Sequence, residues 1–294
     1  MKNRVSTVAL ILKMKTQRLI SFMLFRKRSA LRNHFGSYIS PLETSVANDL
    51  SAFQLLKPLM DKLKSELVDF PLTRIGSAND GGYVVLDKDY HGSFLISGGI
   101  FNDNNFEVAL ADLGAKGHQI DFSISSPPKQ HSNLTFSPQR LVGEELKEFN
   151  YDISLDEIVK EKIDKSSENH SELLLKLDIE GSEWEVLEKS SSLPRFSQIY
   201  LELHYLERLA HPNFSESSLN TLERILELFF PVFISGNNCC GFVNIGGYAI
   251  PRVMEMTLLN RSFYSIIPSQ NGNLNTLYQS QNYPKRAPLV LKKW

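Results

Sequence analysis

The chain has 294 residues, with 32 Lys+Arg against 33 Asp+Glu, 42% hydrophobic residues and 22% charged residues. This ordinary globular composition excludes a collagen-like, disulfide-scaffold or wholly disordered chain. The length suits one large α/β domain with extensions, or two small domains. The two cysteines, Cys239 and Cys240, are neighbours. Residues this close rarely bridge, so no disulfide framework is expected and a reducing compartment fits. Two cysteines are also too few for a Cys-rich zinc site.

The near-neutral charge hides an asymmetry. Residues 1–42 hold nine Lys and Arg and no acidic residue, which leaves 23 basic against 33 acidic residues beyond them. Two apolar runs lie in this basic extension, residues 8–12 and 19–25, divided by Lys13, Lys15 and Arg18. Neither approaches the ~20 residues that span a bilayer, and no small-residue cleavage site marks a secretory signal. The extension suits peripheral contact with an anionic membrane surface. A transit peptide, a nucleic-acid patch or a plain, poorly ordered extension are the other readings. The chain is expected to be cytoplasmic, or peripheral to a membrane. Sequons at Asn133, Asn169, Asn213 and Asn260 carry little weight without a secretion signal.

Residues 43–72 read as a helical lead-in. Val46, Leu50, Phe53, Leu56, Met60, Leu63 and Leu67 recur at steps of three and four, a packing stripe with a bend expected at Pro58. The main domain is expected over 73–264. It opens with a Gly-rich turn, Arg74-Ile-Gly-Ser-Ala-Asn-Asp-Gly-Gly-Tyr83, leading into a strand from Tyr83 to Leu86. Strands follow at 94–97, 118–123 and, more weakly, 134–137. A helix from Asn105 to Leu113 has Asp103 or Asn104 as its cap and Gly114 past its end. Ser154-Leu-Asp-Glu157 forms a capping box that opens a helix through Ile163. Next come an apolar strand at 173–177, a helix at 182–189, a strand at 199–203 and a helix at 216–229. Strands at 232–235 and 253–259, separated by a Gly-rich loop, close the domain. Residues 265–294 read as an irregular tail. Strand and helix in alternation predict an α/β fold with a mostly parallel sheet and helices on both faces.

In such a sheet, ligands bind outside the carboxyl ends of the strands. Four ends carry polar residues or glycine: Ser97-Gly-Gly-Ile-Phe-Asn-Asp103, then Asp121, then Asp178-Ile-Glu-Gly181, then Glu202-Leu-His204. The turn at Ser97, Gly98 and Gly99 with Asp121 beyond it suits an adenosine, whose ribose hydroxyls donate to a carboxylate. No full G-x-G-x-x-G cradle and no P-loop is present, and Asp103 would repel phosphate. S-adenosylmethionine has a cationic amine and sulfonium and no phosphate, so it suits this turn. Helix capping is the competing explanation for Asp178 and Glu180. A hydrogen-bonded strand-end histidine is the competing one for His204.

Leu174-Leu-Lys-Leu-Asp-Ile-Glu-Gly-Ser-Glu-Trp-Glu-Val-Leu187 resembles the hallmark segment of the FkbM-type class I S-adenosylmethionine-dependent methyltransferases. Arg74-Ile-Gly through Asp80-Gly-Gly-Tyr83, residues 94–113 and residues 198–204 are similar to the methyltransferase-like branch of that family, so the resemblance covers roughly residues 70–262. It departs at the first turn, where glycines are fewer, and at Phe122, where proline is often found. The resemblance implies a Rossmann-like, seven-stranded sheet with an antiparallel last strand. It also implies S-adenosylmethionine as cofactor and O-methylation of a hydroxyl on a sugar, glycan or small metabolite. Ser97, Gly98, Gly99, Asp103, Asp121 and Asp178 are the expected cofactor residues. Glu180 and His204 are the expected catalytic pair, since a carboxylate or imidazole can take the hydroxyl proton. Asp178 and Glu202 are the expected ligands if a divalent ion such as Mg²⁺ is bound. The alternative is a binding or scaffold protein of the same fold without turnover. No nucleic-acid partner is expected, and the sequence does not set the oligomeric state.

Overall fold

The computed structural model describes residues 50–210, 214–267 and 282–285. The chain divides into two units between Leu42 and Glu43, and only the second contains described residues. The basic extension, with its expected membrane contact, therefore lies outside them, as do Val46, Asn213 and most of the tail. No helix among the described residues is long and apolar enough to cross a membrane.

The first half of the described chain runs α1 (Leu50–Lys62), β1 (Leu72–Gly76), β2 (Gly82–Leu86), β3 (Ser93–Gly98), α2 (Asn105–Asp112), β4 (Lys116–Ile120), β5 (Leu134–Ser137), β6 (Arg140–Leu141), β7 (Asp152–Ile153) and α3 (Leu155–Val159). The second half runs β8 (Glu172–Leu177), α4 (Glu183–Lys189), β9 (Phe196–His204), α5 (Ser215–Leu228), β10 (Phe229–Gly236), β11 (Phe242–Ile245), β12 (Tyr248–Pro251) and β13 (Val253–Asn260). Seven strands form one sheet in the order β10-β13-β9-β8-β3-β4-β5. β5, β4, β3, β8 and β9 are parallel, and β13 is antiparallel to both of its neighbours. The protein is thus α/β with a mostly parallel central sheet. The chain leaves β3 towards one edge through β4 and β5, then returns to pair β8 on the other side of β3, which places the switch point between β3 and β8.

Period-two alternation sorts the side chains into two layers. Leu175 and Leu177 of β8, Leu201 and Leu203 of β9, and Met254 and Met256 of β13 face the larger core, packed against Leu56, Ile158, Trp184, Leu187 and Leu222 from α1, α3, α4 and α5. The opposite face buries Leu95, Leu174 and Tyr200 under Tyr83 and Val85 of β2 and Phe106 and Leu110 of α2. One face is therefore helical, and the other is covered by α2 together with the β1–β2 hairpin.

Several elements differ from the sequence expectations. The strand at Tyr83 has an antiparallel partner, β1, in the stretch expected to be only a turn; the register pairs Gly76 with Gly82. β9 begins at Phe196 rather than Ile199, because the polar Ser197 and Gln198 are fully buried and bonded within the fold. The Gly-rich loop between the last two strands contains the hairpin of β11 and β12. α1 continues through Pro58, and Leu67 lies beyond it in an antiparallel bridge with Ile267. The capping box at Ser154 forms, but α3 ends at Val159 and passes into a π-turn over Lys160–Asp164. Cys239 and Cys240, expected to remain apart, are joined in a disulfide between adjacent residues. That bond closes no loop between elements, so it staples nothing in the fold.

Candidate functional site

The turn after β3 is clamped by the strands on either side of it. Gly99 has φ +81°, and a Cβ there would stand 1.7 Å from the Asp178 carbonyl oxygen, so only glycine fits. The Gly99 amide donates to Ile120 at 3.0 Å, and the Asp178 amide donates to Gly98 at 3.1 Å. Lys176, 4% exposed, donates from Nζ to the Gly99 carbonyl. Its charge is met by Asp178 Oδ2 at 3.5 Å and Glu107 Oε1 at 3.8 Å. Burial works against the ammonium, but those two carboxylates raise its pKa on balance. Ser97 is fully buried and donates to Glu107 at 2.6 Å.

Asp121 completes the clamp. Its Oδ2 accepts from the amides of Ile100 (2.9 Å) and Phe101 (2.7 Å), and its Oδ1 accepts from the amide (2.7 Å) and hydroxyl (2.6 Å) of Ser123. A carboxylate offers about four lone-pair sites, and here every one has an in-chain donor. Asp103 is also engaged. It accepts from the Asn105 amide at 2.8 Å, at the start of α2, and from the Ser77 hydroxyl.

At the neighbouring strand ends the chemistry is less consumed. Glu180 sits at φ +58°, and Gly181 follows at +103°, so the chain turns sharply out of β8. The Glu180 side chain is 63% exposed, with Oε2 at 3.9 Å from His204 Nε2. The other non-glycine residues with positive φ among those described are Phe101 and Tyr205, in the turns after β3 and β9. Left-handed backbone costs roughly 1–2 kcal/mol for such residues, and here it is concentrated on one edge of the sheet. Strain of this kind clusters at functional sites.

Neither Asp178 nor Glu180 caps α4, and Ser182 makes no side-chain cap. Glu183, fully buried, accepts from the Ile179 amide at 2.6 Å instead. The same oxygen lies 3.1 Å from His204 Nδ1. The adjacent Trp184 donates from Nε1 to the His204 carbonyl at 2.6 Å. Burial opposes a charge on His204, yet Glu183, with Glu202 and Asp178 beyond it, raises the imidazole pKa well above its usual value.

Register explains why the remaining acids meet. Leu177 pairs with Leu201, which sets Asp178 beside Glu202, and Glu255 of β13 lies directly across from Glu202. Asp178 accepts from the Tyr83 hydroxyl at 3.1 Å. Glu202 accepts from the Asn237 side chain at 2.8 Å. Burial, followed by the charge of Asp178, holds the Glu202 pKa well above the carboxylate range. Glu255 lies 3.7 Å from Arg74 and accepts from Asn282, which also donates to Asp80 at 3.2 Å. Donor atoms of Asp178, Glu202 and His204 all lie within 4.8 Å of one another, as do those of Asp80, Glu202 and Glu255.

The expected residues thus fall into two groups. Gly98, Gly99, Asp103 and Asp121 form an internally satisfied turn, with Ser97 beneath it. Asp178, Glu180, Glu202 and His204 converge beside it around unspent oxygen and nitrogen atoms. Sequence reasoning missed Lys176 and Glu183, although both stand between Leu174 and Leu187, the stretch that carries Asp178 and Glu180. It also missed Glu255, whose signal is a lone acid in an apolar run, and Asp80, Asn237 and Asn282, which only the packing brings in. A scan against protein-family models finds no match, and a search of curated proteins finds none.

Proposed function

We propose that this protein is an S-adenosylmethionine-dependent methyltransferase that methylates a hydroxyl on a sugar, glycan or small metabolite. The strand order carries the reading: six strands run in one direction with a switch point between β3 and β8, and the antiparallel β13 lies between β9 and β10. This is the arrangement of the class I methyltransferase sheet that the segment at Asp178 resembles. The site suits the cofactor in sign, since Asp103, Asp121 and Asp178 line the switch-point edge and the cofactor is cationic and phosphate-free. When bound, S-adenosylmethionine supplies an electrophilic methyl group on sulfur.

The turn at Gly98 and Gly99, with Asp121 and Asp178, would hold the cofactor. For Asp121 to accept from ribose hydroxyls, the Ser123 hydroxyl must rotate away. Glu180 would take the O–H proton of the acceptor hydroxyl, while His204, which Glu183, Glu202 and Asp178 keep in its charged form, would orient that hydroxyl by a hydrogen bond from Nε2. A well-placed base contributes about 10²–10⁴-fold. Asp178, Glu202 and His204 also form an O, O, N set suited to a divalent ion such as Mg²⁺. That ion would polarise the hydroxyl as a Lewis acid.

One observation favours a second reading, a binding or scaffold protein of the same fold without turnover. The Asp121 carboxylate is fully occupied within its own chain. Calorimetry of the full chain with S-adenosylhomocysteine separates the two readings. Binding is expected, followed by methyl transfer in a labelled-methyl screen of sugars and lipid-linked glycans. Absence of any binding would sink the methyltransferase reading; binding without transfer to any acceptor would favour the second.

A further inference from the structure

α4 grips a single residue of β9 at two points. Glu183 Oε1 lies 3.1 Å from Nδ1 of His204, and the next residue, Trp184, donates to the His204 carbonyl at 2.6 Å. Glu183 is fully buried, and the same Oε1 accepts the Ile179 amide at 2.6 Å. One carboxylate oxygen therefore ties the ring to the turn that carries Glu180. An imidazole held by a carboxylate at Nδ1 must turn Nε2 outward. Here Nε2 faces Glu180 Oε2 and Glu202 Oε1, each at 3.9 Å, and is the ring atom left for a substrate.

We infer that Glu183 is the positioning residue of this site: it fixes the His204 ring so that Nε2, rather than Nδ1, meets the acceptor hydroxyl. Glu183 touches neither cofactor nor acceptor and acts only through the ring and the Ile179 amide. Its second oxygen, Oε2, is buried with no hydrogen-bond partner. Glu183 is thus held in a costly position, since a buried acceptor without a partner has given up its water and gained nothing in exchange. A helix-packing role would be served better by an apolar side chain at this point. The inference deepens the methyltransferase reading and rests on it for the catalytic use of the ring, but not for the geometry of the ring.

The test is nuclear magnetic resonance of the full chain with ¹⁵N-labelled histidine, the His204 signals being assigned by their loss in His204→Gln. Wild type is expected to show a slowly exchanging, downfield Nδ1–H resonance. Glu183→Met, close in length and without an acceptor, should lose it. Glu183→Gln, which keeps only a neutral acceptor oxygen, should move it upfield and speed its exchange; an unmoved resonance in this variant overturns the inference even should Glu183→Met not fold. A wild-type ring without that resonance, or the same resonance in Glu183→Met, overturns the inference. S-adenosylhomocysteine affinity, measured in parallel, is expected to stay within a few-fold in both variants. If wild type shows the resonance but binds no S-adenosylhomocysteine, the pairing stands and the methyltransferase reading falls.

Discussion

Asp121 can be separated into a structural and a cofactor-binding role by substitution. Asp121→Ala removes an acceptor shared by four donors, two of them the amides of Ile100 and Phe101 that shape the turn after β3. Ile100 is 3% and Asp121 8% exposed, so the carboxylate is lost from a largely buried place. A hydrogen bond to a charged group is worth about 1.5–3 kcal/mol. The four bonds share one carboxylate and do not add, so the expected loss is about 2–4 kcal/mol. Urea unfolding reads this as a lower midpoint at unchanged slope. Asp121→Asn keeps one acceptor oxygen and should fall between. Ser123→Ala removes only the competing hydroxyl. It should leave S-adenosylhomocysteine affinity equal to or tighter than wild type. A wild-type midpoint in Asp121→Ala would refute the bracing role. A folded Asp121→Ala with unchanged S-adenosylhomocysteine affinity would remove the residue from the cofactor site.

Other perturbations probe the same edge of the sheet. Gly99→Ala places a Cβ against the Asp178 carbonyl and should abolish soluble, cooperative folding, whereas Gly241→Ala, also at positive φ but with nothing within 4 Å, should cost only about 1–2 kcal/mol. Glu255 is raised from 4.5 to about 7, chiefly by burial and against the pull of Arg74. The folded state therefore keeps a proton that the unfolded state gives up in that window, so stability falls as pH rises from 4.5 to about 7 and is then flat. The shift corresponds to roughly 3 kcal/mol, so Glu255→Gln should show a smaller difference in urea midpoint between about pH 5 and about pH 8; an unchanged difference rejects this account. If Asp178, Glu202 and His204 hold a divalent ion, chelator should abolish methyl transfer and Mg²⁺ restore it. Activity indifferent to chelator excludes the ion.

The alternating pattern of the chain was enough to predict a mostly parallel α/β sheet, because period-two and period-3.6 repeats of apolar residues are local properties. The same locality placed Asp178, Glu180 and His204 at strand ends, and the capping box at Ser154. Local signals failed wherever a residue was buried for tertiary reasons. Ser197 and Gln198 read as loop but lie inside β9, and β1 read as turn because its pairing with β2 is set by register. The glycines show the limit most sharply. Gly98 and Gly99 invited a ligand, yet what requires Gly99 is the carbonyl of Asp178, a neighbour only after β8 pairs with β3. Asp121 likewise kept its predicted place at a strand end, but its bonding partners came from the turn folded over it. Glu183, Glu255 and Asn282 are spread over a hundred residues and meet one edge only through strand register and side-chain packing. Periodicity reports which face a residue presents. Which residues share a carboxylate, a proton or an ion depends on distances that the folded sheet alone creates.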